Sequence, residues 1–209
     1  GYREIHNRVL PALDRLIAYI KKVQKKGEGL QKVGRTHLQD ATFIKVDQEV
    51  SAFVAGLKRA KKMIEDNSQY LLDVALGGTA VGTGLNTPDG YLDTMEKVLP
   101  EVTGIPFRVK NNKFHGLSLK DNFMMAFSSL NTLATTLFKI ANDVRFLASG
   151  PRCGYGEWKI PANEPGSSIM PGKVNPTQCE AMTMVCMQVF GINTTLTFCT
   201  GSGNFQLNV

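Results

Sequence analysis

From Phe123 the apolar positions fall at Phe127, Leu130, Ala134, Leu137, Ala141, Val144 and Ala148, always three or four residues apart. Sustained over so long a run, this spacing is a heptad-like stripe, and it argues for one long bundle helix. Ser118 to Asp121 reads as a capping start and Gly150-Pro151 as the stop. Val46, Val50, Phe53, Leu57, Ala60 and Ile64 form a second stripe. Ala181, Val185, Gln188, Ile192, Leu196 and Cys199 form a third, with Gln188 as its polar interruption. A first helix is expected over about residues 2–25, kinked or broken at Pro11. A shorter one is expected to open at Thr87-Pro88 and close before Pro100. No strand pattern of comparable strength is present, and Phe107–Val109 reads as a short extended piece. The expected class is all-α, a bundle of long helices.

Composition narrows the function classes. With 43% hydrophobic residues, 209 residues can bury a core as one domain. No uninterrupted apolar run reaches the roughly 20 residues that span a bilayer, so no membrane partner is expected. Cys153, Cys179, Cys186 and Cys199 lack Cys-x-x-Cys spacing and a matching His cluster, so reduced thiols are expected and a metal site is not. The formal charge of +6 gathers at Lys21-Lys22, Lys25-Lys26, Lys58-Arg59 and Lys61-Lys62. These clusters lie on helical stretches without interleaved aromatics, so they read as solvated faces rather than a nucleic-acid patch. Met124, Met125, Met182, Met184 and Met187 read as packing residues. The run from Gly78 to Gly84 lacks the Gly-x-Gly-x-x-Gly order and a leading strand, which excludes a dinucleotide fingerprint.

Chemistry concentrates in residues 165–176 and the turn that follows. Pro165, Gly166, Pro171 and Gly172 punctuate the segment, so an irregular loop is expected around Ser167 and Ser168. Lys173 and Asn175 add a cation and an amide suited to holding a carboxylate, and after Pro176 the pattern turns helical. Such a loop can join a nucleophile or base to an anion clamp.

The run Ser167-Ser168-Ile169-Met170-Pro171-Gly172-Lys173-Val174-Asn175 resembles the signature of the fumarase/aspartase superfamily. Gly172 and Thr177-Gln178-Cys179-Glu180-Ala181 are similar to class II fumarases in particular. Gly34-Arg35-Thr36-His37-Leu38-Gln39-Asp40-Ala41 resembles the family's Thr-His motif (residues 34–41), where aspartases tend to carry Gln at the position of His37. Gly77–Asn86 and Lys139–Arg145 also look like fumarase, the former suggesting a tight connection in the bundle.

The resemblance implies reversible hydration of fumarate to malate without metal or organic cofactor. Removing a proton next to a carboxylate places a second negative charge on that carboxylate, which preorganised donors must stabilise. By resemblance Ser167 is the base that takes the carbon-bound proton, and Gly166, Ser168 and Gly172 support the loop. Lys173 and Asn175 bind substrate carboxylate, with Thr36 as a further donor. His37, on the approach to the second long helix, works with Glu180 on the hydroxyl or its water. His6 and His115 lie outside these motifs and are assigned structural roles.

The chain departs from the family in carrying Phe43 where Pro is usual, and Lys113-Phe114-His115-Gly116 where Lys-Phe-Glu-Ala is usual. Family chains are also longer. Residues 1–209 are expected to be the central bundle domain, without the flanking N- and C-terminal domains. Central bundles of this family pair into a homotetramer with a twenty-helix core, so His37 and Ser167 of one chain are expected to serve different substrates. The expected compartment is a bacterial cytoplasm or a mitochondrial matrix. Two other readings stand beside hydration: an aspartase-type lyase, opposed by His37, Gly172 and Gln178–Glu180, and a non-catalytic oligomeric scaffold.

Overall fold

The computed structural model describes residues 1–166 and 168–208. The chain enters as one unbroken helix: an α turn at Tyr2–Glu4, a π turn at Ile5–Val9, then α1 (Leu10–Lys26). Pro11 therefore does not break the helix as expected. It sits in the first turn of α1, where its missing N–H and fixed φ are tolerated, and the π turn before it carries the Leu10 N–H to the Ile5 carbonyl. Next come β1 (Gln31–Thr36), β2 (Gln39–Lys45) and α2 (Val46–Ser68). A 3₁₀ turn, Gln69–Leu72, leads to β3 (Asp73–Val74). Then follow α3 (Tyr91–Thr103), β4 (Arg108–Val109), α4 (Lys113–Ser118), α5 (Asp121–Leu147) and α6 (Thr177–Gly201).

The four long helices pack in the order α1, α2, α5, α6. The stripe expected on α2 is its packed face: Val50, Phe53, Leu57, Ala60 and Ile64 are all buried. With Ile5, Leu10, Leu13 and Ile17 on one side, and Ala126 and Leu133 on the other, several of them make a continuous core. The α5 stripe holds as well, Ala134 and Ala141 being buried and most of its other members half-buried.

The α6 stripe is corrected. The buried residues are Thr183 and Cys186, whereas Val185 is 59% exposed and Ile192 47%. Glu180 is the sole formal charge on α6, and apolar residues surround the helix, so the period did not select the side that packs on α5. By length and composition alone α6 is also apolar enough to cross a membrane, although polar residues interrupt it throughout and no uninterrupted apolar run in it reaches that length.

Three local expectations also change. Ser118 does not cap α5: its hydroxyl bonds the Phe114 carbonyl at 2.7 Å inside α4, and the residue before α5 is Lys120, which makes no side-chain cap. α3 opens at Tyr91 rather than Thr87 and continues past Pro100. The Thr103 hydroxyl bonds the Leu99 carbonyl at 2.6 Å, Gly104 N–H bonds the Pro100 carbonyl at 2.9 Å, and Gly104 in the left-handed region (φ 65°) ends the helix. Finally, β1 and β2 form an antiparallel hairpin that was not expected, while the extended piece near residue 107 pairs in parallel with β3.

His6 meets the fully buried Ser68 hydroxyl at 3.0 Å and stacks on Tyr2, and His115 lies 3.3 Å from Asp121. All four cysteines are free. Because Leu57 is 0% exposed between α1 and α5, Leu57→Ala is expected to cost about 3 kcal/mol in urea unfolding. Val102→Ala, at a side chain 79% exposed, is expected to stay within about 0.5 kcal/mol.

Candidate functional site

Of the residues expected to carry chemistry, Gly172, Lys173 and Asn175 line one cavity and His37 lines another, both bordered by the C-terminal half of α5. Asn142 and Arg145 face one, Lys139 and Asp143 face the other, and Phe146 borders both.

The first cavity, about 1020 Å³, lies between the end of α5, the segment after it and the loop before α6. Lys173 and Asn175 line it, together with Gly172. Arg145, Arg152, Lys159 and Trp158, to which no role was assigned, line it as well. The loop is folded on itself. A Cβ on Gly166 would stand 2.7 Å from the Lys173 carbonyl oxygen, so only glycine permits this approach. Gly172 sits in the left-handed region (φ 79°), and Lys173 N–H reaches back to the Met170 carbonyl at 3.3 Å. Ser168 occupies the turn of this loop and is exposed. Ser167 lies outside the described residues.

Glu180 stands in the first turn of α6, where a carboxylate is favoured by the helix dipole. Its carboxylate is 3.7 Å from Arg145, which also donates to Asn142 Oδ1 at 3.3 Å. Next to it, burial pushes the Cys179 thiol above its ordinary value, against the charge of Arg145.

His37 borders the second cavity, about 660 Å³, which α2, α5 and Tyr155 complete; Thr36, the residue before it, ends β1 and is exposed. His37 does not approach a helix. It and Leu38 are the two central residues of the β1–β2 turn, and both are left-handed, with φ of 55° and 61°. Two-residue hairpin turns of this kind favour Asn-Gly or Asp-Gly, and bulkier residues there store of order 1–3 kcal/mol each. Among the described residues no hydrogen bond or ion pair joins His37 to Glu180, so the pairing implied by the resemblance is not made within this chain.

A charge cluster braces the hairpin. Lys32 Nζ donates to both oxygens of Glu49 at 2.8 Å and lies 2.8 Å from Glu157 Oε2. Arg35 donates to Glu157 Oε1 at 2.5 Å, stacks 4.5 Å over the Tyr155 ring, and has Asp40 3.4 Å from Nε. The hydrogen bond to Glu157 raises the Arg35 guanidinium above its ordinary value despite desolvation. Partial burial by itself would push the Glu157 carboxyl up, but the bonds and charges of Arg35 and Lys32 outweigh it and hold the carboxyl low. Sequence reading missed this cluster because its members are spread from residue 32 to residue 157. Among the described residues no group of three or more His, Cys, Asp or Glu could hold a metal ion.

Comparison with known proteins places these features in context. Residues 2–191 match the family model described as Lyase. The mitochondrial fumarate hydratase of Dictyostelium discoideum is 50% identical over 98% of this chain and 42% of its own. The class II fumarate hydratase of Neisseria meningitidis is 52% identical over 99% of this chain and 45% of its own. The chain thus spans less than half the length of these curated relatives. Among solved structures, class II fumarase from Schistosoma mansoni superposes with a TM-score of 0.95 at 39% identity, covering 99% of this chain and 46% of that one. A fumarate lyase:delta crystallin from Brucella melitensis bound to cobalt gives 0.92 at 41% identity, covering 97% and 44%.

The low Glu157 carboxyl has a consequence for acid stability. A carboxyl depressed in the folded state adds stability above its unfolded value, about 4.5, and loses it as pH falls through the lower folded value. Urea midpoints of the native protein are therefore expected to drop below pH 4.5 by more than those of Glu157→Gln, while at pH 7 the variant is the less stable of the two.

Proposed function

We propose, from the premise that this chain belongs to the lyase family, that it is the central helical domain of a class II fumarate hydratase, adding water across fumarate to give (S)-malate. The observation that carries this reading is the first cavity, where Arg145, Arg152, Lys159 and Lys173 surround one space beside the half-buried amide of Asn175. Four cations around one cavity suit a dicarboxylate, and still more the extra negative charge that develops when one carboxylate takes the aci form. Near-50% identity to fumarate hydratases along the whole chain supports the same reading.

In this mechanism Lys173 and Asn175 hold the carboxylate on which charge accumulates. His37, oriented by Glu180, takes the proton of the attacking water, whose oxygen bonds one alkene carbon. The other carbon takes its proton from the Ser167 hydroxyl, which in the reverse direction is the base. Thr36 donates to the second carboxylate. Because His37 lines one cavity while Glu180 pairs with Arg145, which lines the other, a second copy supplies the hairpin that completes each site. We assign this to a homotetramer. The exposed apolar side chains of α6, Met184 at 67%, Met187 at 57% and Phe198 at 73%, support such an assembly. The role we assign is that of the tricarboxylic acid cycle hydratase, in a bacterial cytoplasm or mitochondrial matrix, relatives being known from both kinds of source. His37, Gly172 and Gln178–Glu180 favour water over ammonia as the leaving molecule.

The test is loss of fumarate absorbance by the native protein that contains this chain. Turnover is expected with fumarate and malate but not aspartate. Ser167→Ala is expected to lower kcat by about 10²–10⁴-fold. Lys173→Met is expected to weaken substrate binding, raising KM. Aspartate turnover without malate turnover would overturn the hydration reading, and unchanged activity of Ser167→Ala would remove that serine from the mechanism.

A further inference from the structure

The turn that presents His37 has little of its own to hold it. Both central residues are left-handed, Leu38 is 61% exposed, and the β1–β2 register slips between Val33 and Arg35, immediately before Thr36. A bulge at that point interrupts the backbone ladder, so side chains must fix the turn against the rest of the fold.

Glu157 is placed to do this. Its two carboxylate oxygens are divided between two cations of β1, Oε2 to Lys32 at 2.8 Å and Oε1 to Arg35 at 2.5 Å. The three side chains are 8%, 20% and 23% exposed, so solvent screens them only in part. Tyr155 closes the grip from the other face of Arg35. The segment bearing Glu157 is itself anchored to the end of α5. Gly156 N–H donates to the Ser149 carbonyl at 2.8 Å, Trp158 N–H to the Leu147 carbonyl at 3.0 Å, and Tyr155 N–H to the Ser149 hydroxyl at 3.1 Å. One residue beyond Glu157, Trp158 lines the cavity of Lys173 and Asn175. Adjacent residues of one anchored segment thus touch the hairpin and border the carboxylate cavity.

We propose that Glu157 is a positioning residue of the reaction: through Arg35 and Lys32 it sets the Thr36–His37 turn against the end of α5. The proposal rests on the hydration reading for its catalytic consequence. Glu157→Gln keeps the shape and one acceptor but removes the charge that both cations share. In the native protein it is expected to lower kcat by about 10–100-fold with KM within about twofold, as misplacement of an acid–base group does. Amide exchange at residues 33–40 is expected to quicken about tenfold while that of α2 stays unchanged. Arg35→Lys, which keeps the charge but loses the forked bond and the stacking, is expected to move both readouts in the same direction by less. It also provides the test if Glu157→Gln does not fold. Asp14→Asn, which removes the 2.6 Å ion pair between Lys61 and Asp14 on the outer faces of α1 and α2, is expected to leave both unchanged.

Lower kcat and faster hairpin exchange in Glu157→Gln support the proposal. A kcat equal to that of Asp14→Asn overturns it, as does a loss confined to thermal stability. If the native protein does not hydrate fumarate, that failure falls on the hydration reading. Exchange at residues 33–40 then decides the clamp: acceleration supports it and no change overturns it.

Discussion

Everything in this fold hangs on the apolar seam along α2. Leu57 and Ile64 are completely buried, and the helix lies between α1 and α5, so its packing decides where both neighbours run. Burying a Leu or Ile side chain contributes roughly 1.5–3 kcal/mol, and the seam repeats that gain every turn. No single hydrogen bond or surface ion pair compares with this sum. The 27 residues of α5, about 40 Å at 1.5 Å per residue, form a long wall against this seam.

That wall separates the functional groups. Its last turns carry Asn142 and Arg145 toward one cavity and Lys139 and Asp143 toward the other, the consequence of a period of 3.6 residues. Under the proposed function, a chain built this way holds parts of two sites, and its activity depends on how copies assemble. The exposed apolar side of α6 belongs to the same logic. It carries nearly no charge and buries little against α5, which is what the proposed assembly would cover.

The long helices were legible because periodicity repeated over about five turns leaves no competing pattern, although on α6 it did not select the face that packs. Shorter features were not. The β1–β2 hairpin lacks the Asn-Gly or Asp-Gly turn that announces such structures, carries His37-Leu38 in its place, and pairs a half-buried strand with a largely exposed one, neither with clean alternation. The Ser118 cap failed because a serine hydroxyl has a second partner available, the carbonyl four residues back in its own helix. Pro100 failed as a stop because one lost bond near the end of α3 is tolerated when the last carbonyls find other donors.

For the proposed site, sequence by itself supplied the candidate residues: Lys173 and Asn175 beside a glycine-framed loop, His37 after Thr36, Glu180 at the start of a helix. Those readings depend on neighbours in sequence, and short-range order is what a motif records. Only the tertiary structure decided which of them share a space. It brought Arg145, Arg152 and Lys159 to the cavity of Lys173, turned His37 away to another, and drew Lys32, Arg35, Glu49 and Glu157 into one cluster. It also chose the face of α6 that packs. The physical reason is the same in each case: an interaction between residues a hundred positions apart is set by how helices pack, and helix packing is a property of the whole core.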